Sequence, residues 1–204
     1  MRWFLLGLGL VFGAVNLNAG DAAAGTPSYP ICASCHGPAG EGNPAMNSPK
    51  LAGQEEWYLV SQLSAFKTGI RGSASGDLNG AQMRGMAMTL ADDNAVNNVA
   101  AYIGTFPQIA SPVTVQGDAA KGQALYAVCA ACHGPKGEGN AALKGPRLAG
   151  QNDWYLVNQL NLFKQGLRGT APGDVGGAQM RPMAMILADD QAVLDVVSYI
   201  NTLQ

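Results

Sequence analysis

The sequence predicts an all-α protein made of two tandem copies of one small module, each a few helices joined by long loops. Three observations carry that expectation. A shift of 97 residues lays residues 20–107 on residues 117–204 without a gap, so that Asp21-Ala22-Ala23 recurs as Asp118-Ala119-Ala120 and Trp57-Tyr58-Leu59-Val60 as Trp154-Tyr155-Leu156-Val157. Apolar residues within each copy fall at steps of three and four, the period of a helix face. The segments between them are rich in Gly and Pro and show no strand alternation.

Residues 1–19 read as a secretory signal peptide. Arg2 supplies a positive charge, Trp3 to Val15 is an uncharged apolar run, and Asn16-Leu17-Asn18-Ala19 leads into Gly20. The run is too short to cross a bilayer as an ordinary helix, and cleavage is expected after Ala19. Retention as a membrane anchor is the competing reading, and both export the remaining chain.

The first helix of each copy ends near a pair of cysteines, with Asp118 placed to cap it in copy two. Pro27 and Pro30 stand where copy two has Ala124 and Ala127. A proline inside a helix removes a hydrogen bond and clashes with the preceding turn. The first helix is therefore expected to be broken, or to start late, in copy one only. A second helix carries Leu59, Leu63, Phe66 and Ile70, matched by Leu156, Leu160, Phe163 and Leu167. A third carries Val96, Val99, Ile103 and Phe106, matched by Val193, Val196, Ile200 and Leu203. Asp92-Asp93 and Asp189-Asp190 stand at its start, where negative charge suits the helix dipole. Residues 108–116, with Pro112, read as a linker between domains 20–107 and 117–204.

The formal net charge of −2 gives no basic footprint for nucleic acid. All four cysteines and both histidines of the chain lie in Cys32-Ala33-Ser34-Cys35-His36 and Cys129-Ala130-Ala131-Cys132-His133. C-x-x-C-H is the attachment signature of c-type haem. The two thiols form thioethers to the porphyrin, and the adjacent histidine reaches the iron. Export also permits disulfides, and C-x-x-C also occurs in zinc sites. Zinc needs four ligands at one point, whereas these motifs lie in separate copies. A haem would also supply the interior that loop-rich domains of this size lack.

The sixth iron position is the open question. No third histidine exists, and six of the eight methionines fall in Met83-Arg84-Gly85-Met86-Ala87-Met88 and Met180-Arg181-Pro182-Met183-Ala184-Met185. Methionine also fills irregular core gaps, and spacing alone does not say which member of a cluster binds iron.

The leader, the two C-x-x-C-H motifs, the stretches Lys50-Leu51-Ala52-Gly53-Gln54 and Arg147-Leu148-Ala149-Gly150-Gln151, and the methionine runs leading to Leu90 and Leu187 together resemble cytochrome c4, a two-haem periplasmic cytochrome. The resemblance spans essentially the whole mature chain. It implies two class I-like cytochrome c domains, each wrapped round one covalently bound haem c. Cys32, Cys35, Cys129 and Cys132 would hold the two haems, with His36 and Met83 axial to one iron and His133 and Met180 to the other. Met86 and Met183 are the runners-up. The resemblance further implies that the carbonyls of Pro49 and Pro146 orient the histidines, a contact that tunes a metal; a plain turn role is the alternative. Trp57, Tyr58, Trp154 and Tyr155 either donate to haem propionates or pack at a helix start.

Two methionine-capped irons leave no position for a substrate, and such ligation suits electron transfer. Glu41 and Glu138 recur symmetrically in a Gly-rich loop and read as surface residues, not a catalytic pair. The resemblance implies a monomeric, non-enzymatic electron carrier of the periplasm with redox-protein partners, a bc1-type complex as donor and a terminal oxidase as acceptor. A haem subunit of a dehydrogenase oxidising sulfide or an alcohol is the second reading. Peripheral membrane association stays open through a retained leader. Residues 20–107 hold four basic and seven acidic side chains against seven and seven in 108–204. Lys121, Lys136 and Lys144 replace Ala24, Ala39 and Asn47 near the haem motif, so copy two is expected to present a weakly basic docking face. Neutral drift of a solvated surface is the competing reading.

Overall fold

In the computed structural model, which describes residues 20–203, the prolines of copy one have the expected consequence. Its first helix is divided into α1 (Ala22–Gly25), a 3-10 turn (Thr26–Ser28) holding Pro27, and α2 (Tyr29–His36) opening with Pro30. Then follow α3 (Glu56–Lys67), α4 (Leu78–Ala87) and α5 (Asp93–Gly104). Copy two opens with the unbroken α6 (Ala119–His133) and continues with α7 (Asp153–Lys164), α8 (Val175–Met185) and α9 (Asp190–Asn201). The signal-peptide expectation for residues 1–19 lies outside the described residues. Among the described residues no helix is long and apolar enough to cross a membrane.

The helix starts follow capping chemistry. Asp21 accepts from the Ala23 and Ala24 amides, and Asp118 from those of Ala120 and Lys121. Asp92 caps α5 through the Ala95 amide, and Asp189 caps α9 through that of Ala192, both at 2.8 Å. Each copy has one helix more than its periodicity indicates. The methionine clusters, expected in loops, lie on α4 and α8 except for Met88, which follows α4; the helices are capped by Asp77 and Asp174 through the Gly80 and Gly177 amides. The apolar faces also end earlier than expected, since Ile70, Phe106, Leu167 and Leu203 all lie beyond the last residue of their helices.

Each core forms where the first and last helices of a copy meet. In copy two Tyr126, Leu156, Leu187, Val193, Val196, Val197 and Ile200 are buried together; in copy one the cluster is Tyr29, Leu59, Leu90, Val96, Val99, Ala100 and Ile103. Glycine sets the closeness of the crossing. A Cβ on Gly122 would lie 2.6 Å from the Asp195 carbonyl carbon, and one on Gly25 would lie 2.5 Å from that of Asn98.

The two copies meet through a reciprocal set of hydrogen bonds, the pattern of a two-fold interface within one chain. Gln54 Nε2 donates to Arg147 O at 3.3 Å and its counterpart Gln151 Nε2 to Lys50 O at 3.0 Å. The Lys50 amide donates to Asn152 Oδ1 at 2.7 Å and the Arg147 amide to Glu55 Oε2 at 2.8 Å. Arg71 reaches Gln159 at 3.1 Å, and Arg168 reaches Gln62 at 3.3 Å. The connecting segment is pinned to copy two. Asp153, fully buried, accepts from the Thr114 and Val115 amides and the Thr114 hydroxyl, and Ser111 donates to Gly150 O. Lys50 Nζ donates to Ile109 O and Gly150 O, so one side chain of copy one holds both the connector and copy two.

Candidate haem sites

His36 and His133 are the last residues of α2 and α6, each followed by a glycine of positive φ, Gly37 (83°) and Gly134 (81°), that turns the chain away. Three bonds fix this corner. Tyr29 and Tyr126 donate to the Gly37 and Gly134 carbonyls at 2.7 and 2.8 Å. The amides of Gly42 and Gly139 return to the His36 and His133 carbonyls at 2.8 Å. Glu41 and Glu138 are exposed, as expected, and accept from the Ala39 and Lys136 amides, so their carboxylates also brace the loop.

Both imidazoles are buried, with Nδ1 lying 2.7 Å from the carbonyl of Pro49 or Pro146. A carbonyl only accepts, so Nδ1 carries the proton and Nε2 is left with a lone pair for a metal. Burial lowers the pKa of both histidines, against the opposing pull of the proline carbonyls and, for His133, of the Glu55 carboxylate. A neutral imidazole is the form that ligates.

Cys32, Cys35, His36, Met83 and Met86 line one cavity of about 1280 Å³ including its open mouth. Tyr155, Gln159 and Leu162 of copy two form part of its wall, so the first site opens onto the second domain. On α4, Gly80 and Ala87 are buried, and Met83 stands three residues after the one and four before the other. In copy two Met180 is half-buried at the matching place, whereas Met183 is 38% exposed. The four cysteines are unpaired, and among the described residues no three His, Cys, Asp or Glu side chains converge as a metal cluster. Neither the disulfide nor the zinc reading gains support from this arrangement.

The strongest fit to haem comes from residues that pattern reading passes over. Arg71 and Arg168 are buried, share Gln62 and Gln159 across the domain boundary, and each leaves Nε without a partner. Burial and the neighbouring Arg71 cation lower the Arg168 pKa. The single ion pair among the described residues is Lys121–Asp118, so neither guanidinium has a carboxylate. Two buried cations without anions are costly, and the carboxylates of haem propionates match that deficit in sign and in hydrogen-bonding capacity. Trp57 Nε1 is likewise buried and unpartnered, which suits the propionate-donor reading. A signal for these arginines existed: all four basic residues of 20–107, Lys50, Lys67, Arg71 and Arg84, recur as basic residues in copy two.

Comparison with known proteins agrees with this geometry. The family model for cytochrome c matches twice, over residues 22–107 and 119–204. Cytochrome c4 of Azotobacter vinelandii is 36% identical over 198 residues, covering 91% of this chain and 90% of that one. A thiosulfate dehydrogenase electron acceptor of Stutzerimonas stutzeri is 30% identical over 201 residues, covering 90% and 89%. The crystal structure of reduced recombinant cytochrome c4 from Pseudomonas stutzeri superimposes with a TM-score of 0.71 at 33% identity, covering 91% of this chain and all of that one.

Proposed function

The chain belongs to the cytochrome c family, as a two-haem protein of the cytochrome c4 kind, and from that premise we propose that it carries electrons in the periplasm from a bc1-type complex to a terminal oxidase. In this reading Cys32 and Cys35 hold one haem c, and Cys129 and Cys132 the other. His36 and Met83 would ligate the iron in copy one, and His133 and Met180 that in copy two. When bound, each haem supplies a one-electron couple, which Met/His ligation places high. The polypeptide does the rest. Pro49 and Pro146 fix the imidazole tautomer, Leu59 and Phe66 help wall the first cavity against water, and Arg71 and Arg168 offset propionate charge. Trp57 is the further donor toward a propionate.

One observation carries the reading. Each copy presents a buried histidine with Nδ1 already committed, and in copy one the thiol pair and the methionine helix line the same cavity. With a histidine and a methionine each holding an iron, no position would remain for a substrate, so in this reading the chain is a relay and not an enzyme by itself. Stopped-flow mixing tests it: the reduced protein should be a monomer that delivers two electrons per chain to an oxidase. Failure to exchange electrons with the oxidase while remaining monomeric would contradict it. Export by residues 1–19 places the carrier in the periplasm, and retention of that leader would tether it to the membrane. The likeness to a thiosulfate dehydrogenase electron acceptor favours a second reading, a haem partner of a periplasmic dehydrogenase. Purification in a fixed ratio with a flavin, quinone or haem dehydrogenase would select it.

A further inference from the structure

The reciprocal interface contains an unequal exchange next to the histidines. In copy two, the peptide group joining Pro146 to Arg147 is held at both ends. Its carbonyl accepts from His133 Nδ1 at 2.7 Å, and its N–H donates to Glu55 Oε2 of copy one at 2.8 Å. In copy one, the peptide joining Pro49 to Lys50 is held in the same manner. Its carbonyl accepts from His36 Nδ1 at 2.7 Å, and its N–H donates to Asn152 Oδ1 of copy two at 2.7 Å. Each domain thus reaches across the boundary to the peptide that orients the other domain's histidine. The two acceptors sit in matching cradles of positive-φ glycine. A Cβ on Gly139 would lie 2.7 Å from Glu55 Oε1, and one on Gly42 would lie 2.6 Å from Asn152 Oδ1.

The chemistry of the acceptors differs by one charge. Glu55 is a half-buried carboxylate and makes no ion pair with any described residue. Arg147 directs its own Nε to Ala149 O. Asn152 is a buried neutral amide whose Nδ2 faces Ser111 Oγ at 3.4 Å. A charge-assisted bond to a peptide N–H is stronger than a neutral one, and hydrogen bonds in series polarise one another. Electron density pushed onto the Pro146 oxygen tightens its hold on the His133 proton. The ring then acquires imidazolate character and favours ferric over ferrous iron.

We infer that Glu55, acting across the domain boundary through the Pro146–Arg147 peptide, selectively lowers the reduction potential of the haem in copy two, while Asn152 leaves its counterpart in copy one without that push. Glu55 is a positioning residue in this role and touches neither haem nor substrate. The inference rests on His36 and His133 being the iron ligands.

The test is potentiometric titration of the two-haem protein, with the haems resolved by their paramagnetically shifted methyl signals. Two histidine-ligated haems in the wild-type spectrum establish the sites first, and their failure to appear overturns the site reading and the relay with it. Glu55→Gln keeps the acceptor oxygen and removes the charge. The ferric-to-ferrous ratio of the copy-two haem at fixed potential should fall about tenfold, a rise of ~59 mV, with the copy-one haem unmoved. Asn152→Asp adds the missing charge, and the copy-one potential should fall selectively. Equal shifts at both haems in each variant, or no shift in either, overturn the relay while leaving the haem sites standing.

Discussion

Replacement of Gly122 by alanine tests whether the crossing of α6 and α9 is what brings each domain together. The new Cβ would lie 2.6 Å from the Asp195 carbonyl carbon and 2.9 Å from Tyr199 Cβ, with the Asp195 oxygen nearer still. Ordinary contact needs roughly 1 Å more, and the obstacle is helix backbone, which does not rotate aside. A gap of that size forfeits a quarter to a half of the dispersion energy along a contact. Here the contact includes Tyr126, Val193, Val196 and Val197. Overpacking a core costs about 1–3 kcal/mol and more against backbone, while alanine returns ~1 kcal/mol of helix propensity. Taking the upper end of that range, the expected net loss is about 2 kcal/mol, or roughly 4–8 °C in Tm for a chain of this size. Gly104→Ala in α5 is the control, because a Cβ there meets nothing within 4 Å. It should be neutral or stabilise by about 0.5 kcal/mol. Guanidinium unfolding of the haem-loaded protein, followed by far-ultraviolet circular dichroism, compares the two. A Gly122→Ala protein as stable as the Gly104→Ala protein would refute the reasoning.

Three further outcomes are expected. Arg71→Gln removes a buried cation beside the first cavity, so the copy-one reduction potential should fall; an unchanged potential in a folded variant would show that no propionate faces this arginine. Burial pushes the Asp153 carboxyl up, but bonds from Thr114, Val115 and Trp154 outweigh it and hold the group below the usual carboxylate range. A depressed folded pKa means stability present above the unfolded value of about 3.9 and lost as pH falls through the folded one. The connector should therefore stay docked from about pH 5 upward and loosen in acid. Asp153→Asn should lower hydrogen-exchange protection of the Thr114 and Val115 amides roughly thirtyfold, or ~2 kcal/mol, at neutral pH; unchanged protection would contradict this. Lys136 is exposed, whereas Lys144 Nζ lies 5.9 Å from the Trp57 ring across the domain boundary. Lys136→Glu is thus the cleaner probe of a basic docking face and should slow oxidase turnover and flatten its salt dependence; no change in either would favour surface drift.

The parts of the molecule legible in the sequence are those fixed by covalent or steric rules. Two thiols and an imidazole at fixed spacing announce the haem motif, and Pro27 and Pro30 forbid a continuous first helix. The helix carrying each methionine cluster escapes pattern reading for a physical reason. Gly80 and Gly85 in α4, and Gly176, Gly177 and Pro182 in α8, are poor helix formers. Tertiary packing and the caps at Asp77 and Asp174 override that weakness, and those two aspartates, repeated at the same spacing, were the available clue. Arg71 and Arg168 recur at matching positions, but their pairing was not legible, because each guanidinium joins the Gln of its own domain to that of the opposite one. Periodicity along one helix cannot report a contact made across an interface.

Stepwise cyanide titration of the oxidised protein, followed at the Soret band, tests the central claim most directly. Irons held on both axial sides by protein should react slowly and only at high cyanide. Met83→Ala and Met180→Ala should each convert one haem to rapid binding, and Met86→Ala should not. Rapid stoichiometric uptake by the wild-type chain would contradict the account, because an open coordination site belongs to a catalyst and not to an electron relay.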